Sequence, residues 1–165
     1  MSTSNQGRAL QGEIDRIANA YRTVGIAKLH KVDPPCRVVG FGAARKVIFM
    51  PNPFVDYVGT WTQRGGRSLA LEAKSTAEPK LPIRQQSGVT EKQFEALSEW
   101  EQHGAAVGIL WGYKNEIRFV PMAAARAQLA AGVKHVKWDT ATVIPRGLGL
   151  VTFDFIKVIA AYFPN

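Results

Sequence analysis

At 165 residues the chain is long enough to bury one compact core. A composition of 46% hydrophobic and 21% charged residues excludes a disordered chain. Twenty-one Lys and Arg against thirteen Asp and Glu leave a net charge of +8. That surplus suits a polyanionic partner, because each cation that neutralises a phosphate releases condensed counterions. An indifferent basic surface is the alternative. A single cysteine, Cys36, rules out an intramolecular disulfide and a Cys-based metal cluster, and His30, His103 and His135 lack metal-ligand spacing. No apolar run reaches the roughly 18 residues of a membrane span, and the MSTSNQGR opening lacks the apolar stretch of a signal peptide. The expectation is a cytoplasmic protein with one domain over 1–165.

Leu10, Ile14, Ile17, Tyr21 and Val24 recur at helical spacing and predict an amphipathic helix over about 5–24, closed by Gly25. Ile26 to Val32 alternates apolar and basic residues like a half-buried strand, and Asp33-Pro34-Pro35 stops it. Val38–Phe41 and Lys46–Met50 are candidate strands in a basic segment that carries Arg37, Arg45 and Lys46 and ends at Asn52-Pro53. Val55–Thr62 and Arg67–Ser75 then read as a hairpin across Gly65-Gly66. Residues 76–89 are polar and contain prolines, hence a predicted loop. Thr90 is a plausible N-cap for a helix reaching about His103, with Phe94, Leu97 and Trp100 turned inward. Ala105–Tyr113 reads as a buried central strand that pairs with Ile117–Val120 through Lys114-Asn115-Glu116. An alanine-rich helix over 122–131 and a terminal helix within 152–163 complete an α/β sandwich around a mixed sheet. The four tryptophans are better explained as core or dimer contacts than as base-stacking platforms.

Glu72 and Lys74, two apart on a predicted strand, share one face. A carboxylate and an ammonium beside Leu69 and Leu71 are costly to bury unless paired or metal-bound. Asp56 lies sixteen residues earlier in the preceding strand candidate, so two carboxylates from adjacent strands could hold Mg²⁺ through hard oxygen ligands. Lys74 would then stabilise an attacking water or phosphoryl charge. Loop parity decides the matter. A two-residue Gly65-Gly66 loop turns Asp56 away from Glu72, whereas a three-residue Arg64-Gly65-Gly66 loop pairs 56 with 74 and brings all three to one face. The functional reading therefore requires an odd loop or a bulge. The alternative is a solvated Glu–Lys pair on an ordinary strand.

These residues resemble the PD-(D/E)xK nuclease superfamily, although Val55 stands where a proline usually precedes the Asp and Pro53 is three positions upstream. More narrowly, the chain resembles RecU-type Holliday-junction resolvases of Gram-positive bacteria and phages. The motifs are Asn5-x-Gly7, Tyr21-Arg22-x-x-Gly25, Ile26-Ala27-x-Leu29-His30-Lys31, Asp56-Tyr57-x-Gly59, Glu72-Ala73-Lys74-Ser75-Thr76 and Gly104-Ala105-Ala106-Val107-Gly108. The likeness spans about residues 5–120. It implies a restriction-endonuclease-like α/β core and a homodimeric, Mg²⁺-dependent enzyme (Mn²⁺ as the other candidate) that nicks opposing strands of a four-way junction. By that resemblance Asp56, Glu72 and the Ala73 carbonyl hold the metal, Lys74 is the catalytic lysine and Gln93 sits near the metal or its water. Where the family places a metal-proximal Glu on the first helix this chain has Gln11, and Glu13, the nearest carboxylate, is the candidate to take that place at the metal. Residues 33–54 occupy the place of the family's protruding basic stalk, with Arg37, Arg45 and Lys46 as phosphate contacts. Arg8, Lys28, Lys31, Arg64, Arg67, Lys80 and Arg84 are candidates to line the DNA path. The competing readings are a nuclease of the same superfamily acting on ordinary duplex, and a non-catalytic DNA-binding protein with a weakened site.

Overall fold

A computed structural model describes residues 3–49, 54–147 and 149–164. Helix α1 (Thr3–Thr23) buries Leu10, Ile14, Ile17 and Tyr21 and leaves Val24, past its end, exposed. Gly25 stops it in the left-handed conformation at φ +73, and the Ile26 N–H donates back to the Tyr21 carbonyl. The chain then forms β1 (Lys28–Lys31), β2 (Cys36–Val39), β3 (Lys46–Phe49), β4 (Tyr57–Trp61), β5 (Arg67–Ser75) and β6 (Lys80–Pro82). Next come α2 (Glu91–Gln102), β7 (Ala106–Tyr113), β8 (Glu116–Val120), α3 (Met122–Ala130), β9 (His135–Lys137), β10 (Thr142–Val143) and α4 (Phe155–Tyr162).

Six strands make one sheet in the order β1-β4-β5-β7-β8-β10. Within it β5 and β7 run parallel, the other described pairs antiparallel, and α2 makes the crossover between β5 and β7. The Lys114-Asn115 turn joins β7 to β8 with both residues at positive φ, as a tight two-residue hairpin requires. Alternation along β5 and β7 divides the core into two layers. Leu69, Leu71 and Leu110 pack with α1 and α4, while Ala70, Val107, Ile109 and Trp111 pack with α2 and α3. This is the expected α/β sandwich around a mixed sheet. Gly59 lets β1 approach β4, since a Cβ there would sit 1.9 Å from the Lys28 carbonyl oxygen.

Several expectations need correction. The β4–β5 turn comprises residues 62–66, five and not three, because Trp61 pairs with Arg67. Residues 62–64 add a turn of 3₁₀ helix before Gly65 and Gly66, both at positive φ. Strand β4 begins at Tyr57, not Val55. The proline-containing segment after β5 is not all loop, since β6 pairs with β9 in a separate ribbon. Strands β2 and β3 also form a ladder of their own, outside the main sheet, and Phe41 beyond β2 is 94% exposed. Met50 and the expected Asn52-Pro53 stop lie outside the described residues. Trp61 and Trp111 are buried, and Trp100 and Trp138 pack partly buried against the core.

Candidate metal centre

Tyr57↔Leu71 is the first ladder pair of β4 and β5, so one further step sets residue 56 against residue 72. The five-residue turn has the odd parity that the shared face demands. The Asp56 carboxylate folds onto β5, where Oδ2 accepts the Ala73 N–H at 3.0 Å. Glu72 is wholly buried at the centre of the sheet. Its Oε1 accepts from Lys74 Nζ at 2.9 Å and from Gln93 Nε2 at 2.6 Å. Lys74 remains partly exposed, with 23% of its side chain open to solvent.

Gln93 arrives from α2. Thr90 caps that helix by accepting the Gln93 N–H, and the Gln93 Oε1 accepts the Thr90 N–H in return. This reciprocal capping box fixes the Gln93 rotamer, so its amide nitrogen points at Glu72. The predicted N-cap thus also orients a site residue.

Glu72 Oε2 is buried and no donor faces it. The Asp56 carboxyl stands within hydrogen-bonding reach. Two carboxylates at that range need a proton or a cation between them. Burial first, and the Asp56 charge second, push the Glu72 carboxyl up to about 8 against the opposing pull of Lys74. An orphaned carboxyl oxygen beside a second carboxylate, with the Ala73 carbonyl on the same strand, is a hard-oxygen set that fits a divalent cation once the proton is displaced. Among the described residues no third His, Cys, Asp or Glu joins them.

Glu13 is not brought there. It lies on α1, which covers the opposite face of the sheet. Its Oε1 accepts from Arg16 at 2.5 Å and from the Thr152 hydroxyl. Burial opposes its ionisation, but those two hydrogen bonds and the Arg16 charge outweigh it and hold the carboxyl below its ordinary value. Gln11 instead accepts from Lys31 Nζ at 3.0 Å, and its backbone carbonyl accepts from the Tyr57 hydroxyl at 3.2 Å. That hydroxyl also meets Asp15 Oδ1 at 2.8 Å. Tyr57 and Asp15 therefore dock α1 beside Asp56. Sequence reasoning missed Asp15, although its position one helical turn after Gln11 was the available signal.

The cationic candidates divide by location. Arg37, Arg45 and Lys46 are exposed on the β2–β3 ribbon. Register puts Arg37 and Lys46 on one of its faces and Val38 and Val47 on the other. Arg8, Lys28, Lys31 and Lys80 are exposed, and Lys80 stands directly opposite Lys137. Arg84 is drawn toward Glu91 at 2.9 Å and lies over the Phe94 ring. Arg64 and Arg67 sit at the other end of the hairpin, since five residues of strand separate Arg67 from Glu72 by about 16 Å. Arg64 lies over Trp61. Arg67 donates to the carbonyls of Gly104, Phe163 and Pro164 at 3.0, 3.3 and 3.1 Å. Its donors hold the C-terminal segment and are not turned to the site.

A family model, RecU (Recombination protein U), matches residues 5–138. No curated protein sequence matches the chain. Among solved structures it is similar to Hjc, a Holliday junction resolvase from the archaeal hyperthermophile Archaeoglobus fulgidus, at 20% identity, covering 73% of this chain and 77% of that one, with a TM-score of 0.40. Among the described residues no helix is long and apolar enough to cross a membrane.

Proposed function

This chain belongs to the RecU family of Holliday-junction-resolving endonucleases of recombination, and on that premise we propose how its residues do the work. Asp56, Glu72 and the Ala73 carbonyl hold a divalent cation, Mg²⁺ or Mn²⁺. The observation that carries this is the buried Glu72 Oε2, which has no donor, in a carboxyl group whose ionisation the neighbouring Asp56 carboxylate opposes. When bound, such a cation polarises a phosphoryl oxygen and makes water a better nucleophile.

The chain's own residues supply the rest. Gln93 and Lys74 both donate to Glu72 Oε1, which leaves Oε2 as the open ligand oxygen. Lys74 keeps its ammonium at the solvent edge of this cluster. From there it reaches the scissile phosphate and offsets negative charge as water adds and the phosphorus–oxygen bond breaks. The basic β2–β3 ribbon contributes phosphate contacts through Arg37, Arg45 and Lys46. A four-way junction offers two equivalent strands, so a two-fold homodimer would supply one site to each.

The test is Mg²⁺-dependent nicking of a synthetic four-way junction beside linear duplex of the same sequence. The proposal expects paired nicks in the junction and little cutting of duplex. Asp56→Asn and Lys74→Ala should each lower cleavage by about a hundredfold or more while junction binding persists. Wild-type cutting by either variant refutes the site, equal cutting of duplex refutes junction selectivity, and junction binding without cleavage by the parent refutes catalysis.

A further inference from the structure

A cavity of about 520 Å³ opens at the carboxyl ends of β5 and β7, on the α1 side of the sheet. Its wall includes Ser75, the residue that follows Lys74. Crevices at the carboxyl ends of parallel strands are where open α/β sheets take ligands. Ser75 faces the side of the sheet opposite Lys74, so the nucleotide next to a phosphate at Lys74 would pass around the strand end to enter.

We propose that this cavity receives one unstacked nucleobase flanking the scissile phosphate, and that it selects bases carrying an exocyclic amino group. The inference rests on the nuclease reading above. Two open acceptors line the cavity. Gln6 Oε1 lines it, buried and without a partner. Glu13 lines it too, and both of its bonds fall on Oε1, which leaves Oε2 as a second acceptor. A buried unsatisfied acceptor costs about 1–3 kcal/mol until a donor arrives. Adenine, cytosine and guanine each bring an amino group, whereas thymine has none.

The rim has the opposite charge. Lys114 and Arg146 line the same cavity and are exposed, and neither belongs to an ion pair among the described residues. They suit the phosphates on either side of an extruded base. Phe153, beneath the Arg146 guanidinium at 5.9 Å, supplies an aromatic face to the cavity. Acceptors inside, cations at the mouth and an aromatic wall match a nucleotide better than a peptide or an apolar ligand.

The test places 2-aminopurine at the nucleotide flanking the mapped nick and uses Lys74→Ala protein, so that the junction stays intact. Emission should rise several-fold on binding as the base leaves the stack. Gln6→Leu and Glu13→Leu, each added to Lys74→Ala, should remove most of that rise. In the parent enzyme, thymine at this position should lower cleavage by about tenfold relative to adenine, the scale of one specific base contact. A retained junction with flat emission, an emission rise unchanged in both variants, or thymine cut as fast as adenine overturns the pocket and leaves the nuclease reading in place. A junction that the protein does not retain overturns both.

Discussion

Gln93 donates to Glu72 Oε1 through its amide nitrogen while its Oε1 accepts the Thr90 N–H at the start of α2. One side chain thus joins the first turn of a helix to a carboxylate at the centre of the sheet. The Thr90 hydroxyl caps the helix, whereas the Thr90 backbone N–H, which orients Gln93, survives substitution by alanine. Gln93→Ala should cost about 1 kcal/mol of stability through the lost cap, and lower cleavage by about ten- to a hundredfold through the lost bond to a metal ligand. Thr90→Ala should cost similar stability with a much smaller fall in rate. Thermal unfolding and single-turnover cleavage measure the two effects, and equal rate losses would show that Gln93 acts only by capping.

Glu72 gives the stability a dependence on pH. Burial and the Asp56 charge raise its carboxyl to about 8 in the fold, against 4.5 for the ordinary group. The folded state therefore holds a proton that the unfolded chain releases near 4.5. This contribution is fully present below about 4.5 and is lost as pH rises through about 8. Metal-free protein should accordingly lose melting temperature over that window. Glu72→Gln should flatten the profile and melt higher than the parent at pH 8. Mg²⁺ should restore the parent there by binding only the folded state, and do nothing for the variant. A parent profile that rises between 4.5 and 8 contradicts the argument.

Most of the site was legible because strand alternation is a strict rule. Glu72 and Lys74 share a face on any strand, and Asp56 joins them for any odd turn, so the error of two residues in turn length did no harm. Gln93 was legible through Thr90, whose capping box sets its direction. What the sequence left illegible depended on contacts distant in sequence. Glu13 lies near the expected place along α1, but the direction of its side chain is set by Thr152, which is 139 residues away. Arg67 resembles any surface cation until the chain terminus folds back onto it. The β6–β9 ribbon joins two short polar segments more than fifty residues apart, which no local periodicity reveals.

The exposed ribbon should report on DNA through salt. Arg45 and Lys46 have no ion-pair partner among the described residues, so each is free to displace a counterion from phosphate. Arg45→Glu with Lys46→Glu should weaken junction binding and reduce the slope of log affinity against log salt by about two. The double variant should keep the parent's melting temperature, since both side chains are exposed. An unchanged slope would place the ribbon off the DNA.

Arg67 should behave in the opposite way. Its guanidinium spans three carbonyls, joining the α2–β7 connection to the segment after α4, and lies over the Phe163 ring at 5.3 Å. Charged hydrogen bonds of this kind are worth about 1.5–3 kcal/mol each when a partner is removed, less where solvent reaches them. Arg67→Ala should therefore destabilise the protein by about 2 kcal/mol and raise hydrogen exchange in α4 more than in β5. Arg67→Lys should recover only part of this, because an ammonium cannot fork across separated acceptors. The salt dependence of junction binding should stay at the parent slope in both variants. A slope reduced by one, with stability intact, would return Arg67 to the DNA path.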